Sequence, residues 1–223
     1  MKKRYYVLLG GLLALSAKAK GMASDANDVE EPEYTLLSQE DDFELRRYEP
    51  QLVAQTWVSG DQETASRAGF KVLADYIFGN NTAPSGGSSN ISMTAPVTMQ
   101  PNSAESDKDA QKIAMTAPVS MQQEHGQWRV QFTMPKKYTM QTLPKPTNPN
   151  ITITEIPKQT YAVIKFSGLA NSSKVAAKTE ALRVWMQEQG LTITGEAQLA
   201  RYNPPWTLPF LRRNEILIAY EPE

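Results

Sequence analysis

Few of the side chains that ordinarily carry catalysis or hold metals are present in this chain of 223 residues. It has one histidine, His125, and no cysteine, so thiol nucleophiles, zinc–thiolate sites and disulfides are excluded. His125 is followed by Gly126 between two apolar stretches, a setting that suits a solvated turn better than a metal ligand. Met93, Met99, Met115 and Met121 recur at strand spacing, where thioethers fill a core more readily than they ligate a metal. Glu44, Glu49 and Glu155 show no spacing that would pair two carboxylates for acid–base work. There is no Gly-x-Ser-x-Gly, His-Glu-x-x-His, phosphate-binding loop or dinucleotide fingerprint. General-base and nucleophile schemes therefore lack candidates, and the expectation is a binding protein, not an enzyme.

The chemistry that remains is apolar and cationic. Arg67 lies four residues after Glu63 in a helical stretch, so an ion pair along the helix and contact with an anionic ligand are both open to it. The segment Tyr202–Leu211 carries Trp206, Leu208, Phe210 and Leu211 among Pro204, Pro205 and Pro209. Prolines restrict its conformations in advance, so an apolar rim here loses little entropy when a flat ligand docks. The same segment can close the open end of a sheet, and the two roles are compatible. Arg212, Arg213 and Glu215 are expected to make the pairs that hold it.

These residues must be positioned by elements, and the clearest sign of them is a stretch that occurs twice. Ile91-Ser-Met-Thr-Ala-Pro-Val-Thr-Met-Gln100 returns 22 residues later as Ile113-Ala-Met-Thr-Ala-Pro-Val-Ser-Met-Gln122, with eight of ten positions identical. Apolar and polar residues alternate in both, which predicts strands with one buried face. Pro96 and Pro118 cannot donate to a ladder, so each strand is expected to be an edge or to bulge there. Further strands are predicted at Tyr34–Leu37, Phe43–Tyr48, Leu52–Val58, Trp128–Met134, Leu191–Thr194, Gln198–Tyr202 and Asn214–Tyr220. The spacing predicts a helix over Ser59–Phe78, capped by Ser59 or Asp61, with Ala65, Gly69, Val72, Leu73, Tyr76 and Ile77 inward. A second helix is predicted over Ser172–Gln189, with Val175, Thr179, Leu182, Trp185 and Met186 inward. Pro135–Asn150 is expected to be a long connector.

The layout of Phe43–Gly60, strand, proline turn, strand, Ser-Gly, recurs in Ile151–Gly168, about 108 residues on. A helix is expected after both. A duplicated strand-strand-helix unit predicts an α+β fold: one pseudo-twofold curved antiparallel sheet or distorted β-barrel flanked by two α-helices.

Residues 1–19 read as a signal peptide. Lys2, Lys3 and Arg4 precede an apolar run from Tyr5 to Ala17, and Ala17-Lys18-Ala19 fits a cleavage site. The run is short for a membrane span; an uncleaved N-terminal anchor is the alternative. Residues 20–33, acidic and without period, are expected to be a disordered leader, and 34–223 one domain of a periplasmic or secreted protein. Loss of Lys2, Lys3, Arg4 and Lys18 moves the formal charge from −1 to −5. Without a basic block there is no footprint for nucleic acid. The mature chain is expected to be a monomer.

Four stretches together resemble the SOUL haem-binding protein family: the Met-Thr-Ala-Pro-Val segments, Phe132-Thr-Met-Pro135, Tyr161-Ala-Val-Ile-Lys-Phe-Ser-Gly168, and Tyr202-Asn-Pro-Pro-Trp-Thr-Leu-Pro-Phe-Leu-Arg-Arg-Asn-Glu215. The likeness runs from about Tyr34 to Tyr220. It implies the same fold as the repeat and a function in binding haem or another tetrapyrrole, held in an apolar groove beside the first helix. By that resemblance Arg67, Phe70 and Ala74 line the groove, with Tyr202 and the Trp206–Leu208 loop opposite, and Arg67 pairs a propionate. Where members of the family carry a basic residue near the end of the helical stripe, Asp75 and Ile77 stand here. The two-unit architecture is also similar to that of bacterial effector-binding domains that hold other greasy ligands. A tetrapyrrole-modifying enzyme and a module for a lipid, a drug or a protein partner are the alternative functions.

Overall fold

The computed structural model describes residues 29–101 and 127–222. The second copy of the repeated stretch, His125, and the proposed signal peptide lie outside the described residues, as does most of the acidic leader.

The first unit begins with three antiparallel strands, β1 (Tyr34–Glu40), β2 (Phe43–Tyr48) and β3 (Gln51–Ser59), followed by helix α1 (Gln62–Ile77). Asp61 starts the helix: its carboxylate accepts the Glu63 and Thr64 amides, both at 2.9 Å, satisfying donors that have no partner inside the helix. Ala65, Gly69, Leu73, Tyr76 and Ile77 are buried as a stripe recurring every three or four residues. Gly79, at φ +123°, takes a conformation open to glycine and ends the helical path. The short strand β4 (Asn81–Thr82) and then β5 (Val97–Pro101) and β6 (Gln127–Thr133) follow.

The second unit repeats the plan. A short β7 (Lys145–Pro146) pairs with β4 inside the expected connector. Next come β8 (Thr152–Ile156), β9 (Gln159–Phe166) and helix α2 (Ser172–Glu188), capped by Asn171 on the Lys174 amide at 2.9 Å. Leu182, Trp185 and Met186 are its buried residues, while Val175 and Thr179 are half-buried. Trp185 stacks on Phe43 of β2, with ring centroids 5.0 Å apart. Then β10 (Thr192–Ile193), β11 (Gln198–Arg201) and β12 (Asn214–Glu221) complete the chain's strands.

The main sheet runs β1-β2-β9-β12-β11-β5-β6-β3-β8, with β10 beside β12. From β2 to β8 this order reads the same from either end once each strand is replaced by its counterpart in the other unit. The approximate twofold axis therefore passes between β11 and β5, where Ala200 pairs Thr98. The two units do not form separate sheets: β2 pairs β9, and β8 pairs β3. Short links at Glu49-Pro50 and Pro157-Lys158 join strands near opposite ends of the sheet, so the sheet must curl upon itself. Lys158 ties the two links by an ion pair to Glu49 at 3.1 Å.

Alternation along the strands gives the sheet two distinct faces. Ala54, Val130, Phe132, Ala162, Ile164, Ile216 and Ile218 meet the helices and form the main core. Tyr48, Tyr161, Val163, Ala200, Leu217 and Ala219 form a smaller cluster on the other face.

One strand departs from expectation. In the first copy of the repeated stretch the strand begins only at Val97 and runs on to Pro101; Ile91–Pro96 runs outside the ladder, its Ile91 amide bonded to the end of α1 at Ile77 O, 2.8 Å. Ile91 and Ala95 are still buried. The alternation thus marked burial, while Pro96, lacking an N–H, stands where regular pairing starts.

Candidate functional site

The segment after β11 carries the two most exposed large apolar side chains of the described residues, Trp206 and Phe210. Trp206 is 82% exposed, and Leu208, Phe210 and Leu211 are all more than half exposed. The segment is nonetheless built, not loose. Arg212 donates from Nε to Thr207 O at 2.8 Å and from a terminal nitrogen to Pro205 O. Pro209–Leu211 forms a short 3-10 turn, and the Arg213 amide donates to Asn203 Oδ1 at 2.6 Å. Large apolar side chains held outward at the cost of hydration make this segment a candidate binding surface.

A small segment ahead of α2 joins this loop to α1. Gly168 N donates to Pro209 O at 2.9 Å. Two residues on, Ala170 O accepts from Gln62 Nε2 of α1 and from Arg201 Nη2, both at 3.1 Å. Arg201 Nη1 in turn reaches Ser66 Oγ of α1 at 2.9 Å. Leu169, exposed, sits between these anchors. Burial pushes the Arg201 pKa down, Glu63 opposes that shift and Arg212 adds to it, which puts these charges within electrostatic reach of one another. The N-terminal half of α1 and the loop therefore flank one region.

On α1, Phe70 is 38% exposed, its ring 5.4 Å from Phe132 of β6. Ala74 is half-buried one turn further on. Arg67 is held by Glu63, Nη2 to Oε1 at 2.8 Å, with both side chains largely exposed. The helix thus offers an aromatic edge and a cation that can exchange a weak surface partner.

Tyr202, expected beside the groove, turns to the opposite face of the sheet. Its hydroxyl donates to Glu215 Oε2 at 2.6 Å, and the Arg213 guanidinium lies 3.5 Å above its ring. There it joins a buried network that sequence reading missed. Arg46, 2% exposed, donates to Glu44 Oε2 (2.6 Å), Tyr48 Oη (2.9 Å) and both oxygens of Glu215 (2.8 and 3.0 Å). Lys165 completes it with an ion pair to Glu44. Burial, the largest single influence, would lower the Arg46 pKa, but the Glu215 hydrogen bond and the Glu215, Tyr48 and Tyr34 oxygens together outweigh it and keep the guanidinium charged. Burial and the Glu215 carboxylate push the Tyr202 phenol well up, so it serves as a donor. The one available sequence signal was period two along Glu44-Leu-Arg-Arg-Tyr48, with Glu44, Arg46 and Tyr48 on one side of β2. Every charge here has a partner, and the network roots the loop at both ends, Tyr202 and Arg213.

No group of three or more His, Cys, Asp or Glu that could hold a metal occurs among the described residues. Nor does any helix among them have the length and apolarity to cross a membrane.

A family model described as SOUL heme-binding protein matches residues 29–110 and again 103–219, in keeping with the two structural units. Among solved structures, the C-terminal domain of EcmrR is similar at TM-score 0.56 and 14% identity, over 81% of this chain and 98% of that one. A hydrolase from Listeria innocua is similar at TM-score 0.51 and 12% identity, over 83% and 94%. At such identities the likeness is one of fold. No curated protein sequence matches the chain.

Proposed function

The chain belongs to the SOUL heme-binding protein family, and we propose that it holds haem or a related tetrapyrrole against the surface between α1 and the Trp206–Leu211 loop. The observation that carries this reading is the outward array of Trp206, Leu208, Phe210 and Leu211 on a loop fixed by Arg212. A flat apolar macrocycle would cover these side chains, with Phe70 and Ala74 supplying the helix wall. Arg67 would exchange Glu63 for a propionate, a charge-assisted bond of the same kind. Tyr202 acts from behind, anchoring the loop through Glu215. On this reading binding rests on apolar contact, aromatic stacking and the propionate pair, without a strong protein axial ligand. The protein would act as an exported carrier, buffer or scavenger, and not as an enzyme.

The test is a hemin titration of residues 20–223, following the Soret band and tryptophan fluorescence together. Saturable one-to-one binding is expected. Phe70→Ala and Trp206→Ala should each weaken it by about 1–3 kcal/mol of lost apolar and stacking contact, and His125→Ala should leave the spectrum unchanged. Unaltered affinity in both groove variants would place the ligand elsewhere, and a lost Soret shift on changing His125 would overturn the absence of a protein ligand.

A further inference from the structure

The face of the sheet turned away from the helices encloses a cavity of about 270 Å³, lined by Tyr48, Tyr161, Gln131, Gln198, Leu217 and Arg129 among others. The charges on this face are not paired alike in its two halves, and the twofold repeat makes the difference visible. In register, Arg129 stands opposite Trp57 in β3, and Glu215 stands opposite Lys165 in β9. Trp57 and Lys165 are counterparts in the two units, about 108 residues apart. Arg129 and Glu215 therefore occupy equivalent places on the two walls. Glu215 receives Arg46. The counterpart of Arg46 is Thr154, which stands opposite Val53 as Arg46 stands opposite Tyr161. A neutral residue thus occupies the place where a partner for Arg129 would come from.

Arg129 shows the consequence. One terminal nitrogen donates to Gln100 Oε1, and the Trp57 ring centroid lies 5.8 Å from the guanidinium. Its Nε is buried with no acceptor, and no carboxylate among the described residues pairs with it. A guanidinium with an unsatisfied buried donor is costly to keep, and a ligand that brings an anionic oxygen relieves that cost. Among the described residues Gln100 is the one hydrogen-bond acceptor on the fork, and Arg129 lines the cavity. The remaining lining is phenol rings, carboxamides, Val53 and Leu217, which suit a flat neutral body, together with Glu196, a carboxylate already engaged by Arg183 at 3.8 Å.

We propose that this cavity is a binding site for a small carboxylic acid with a planar aromatic body, its carboxylate received by Arg129. The site is separate from the α1–loop surface, lying on the opposite face of the sheet. The experiment is a calorimetric titration of the purified protein with 2-naphthoate, beside the neutral 2-naphthamide. The acid is expected to bind saturably, and the amide at least about tenfold more weakly, the size of one lost charge-assisted bond. Arg129→Met should reduce naphthoate binding to the level of the amide, while Trp206→Ala leaves it unchanged. No saturable binding of naphthoate, equal binding of acid and amide, or loss of binding on changing Trp206 would each overturn the proposal. The acid–amide comparison on the unaltered protein decides the matter even where Arg129→Met does not fold.

Discussion

Glu44 shows how a single side chain carries the energetics of the sheet's second face. Burial would raise its pKa, but hydrogen bonds from Lys165 and Arg46, with their charges, outweigh that and leave it lowered. A carboxylate whose folded pKa is depressed contributes stability that is present above its ordinary value of 4.5 and is lost as pH falls through the folded value. Unfolding free energy, measured by urea denaturation, should therefore decline as pH falls below that value. Glu44→Gln should lose stability at neutral pH and flatten the acid limb; an equally steep limb in the variant would assign the loss to other groups. Breaking the network at Arg46, with Arg46→Met, leaves Glu44 and Glu215 buried with a partner missing and should cost about 3–5 kcal/mol. A role for Glu215 in holding the loop was legible, but its pairing with Arg46 was not, because the two are 169 residues apart and only the pairing of β2, β9 and β12 brings them together. Trp206, Leu208 and Phe210 were legible, since proline-rich surroundings and large apolar side chains are local properties. Tyr202 belongs to the same stretch, yet its direction depends on which face of the sheet β11 gives it, and that is not local.

At the level of the elements, helix α1 fits its sheet through one glycine. A Cβ at Gly69 would stand 2.5 Å from Val130 Cγ2 of β6, so the helix rests on the strand at backbone distance. Gly69→Ala should destabilise the fold by about 1–3 kcal/mol through overpacking, despite alanine's better helix propensity. Adding Val130→Ala should recover most of that loss in thermal or chemical unfolding, and failure to recover would mean that the strain lies elsewhere. Because α1 is also one wall of the proposed haem surface, the single variant should weaken hemin binding as well. The inward stripe of α1 was readable from period 3.6, and so were both helices and the two strand-strand-helix units. The strand predicted over Ile91–Gln100 was shortened because hydrophobic alternation reports which side is buried, whereas ladder membership needs N–H groups and a neighbour in register.

For the whole molecule, the sheet order explains why the two units cannot be treated as two small domains. Each supplies the strand that the other's edge needs, so the core forms only when both are present. The proposed export adds a prediction at this scale: the protein should be recovered outside the cytoplasm with Lys20 as its first residue. A full-length chain retained at the membrane would favour the uncleaved anchor instead.

β12 lies between β9 and β11, with residues 214–220 all buried, yet it is synthesised after every strand it touches. The gap between those neighbours can be filled only once residue 221 has left the ribosome and its exit path. Until then β9 and β11 present unpaired edges, and Arg46 has Glu44 of its own strand but not yet Glu215. The native state is thus withheld until β12 has emerged, and the growing chain stays open until then.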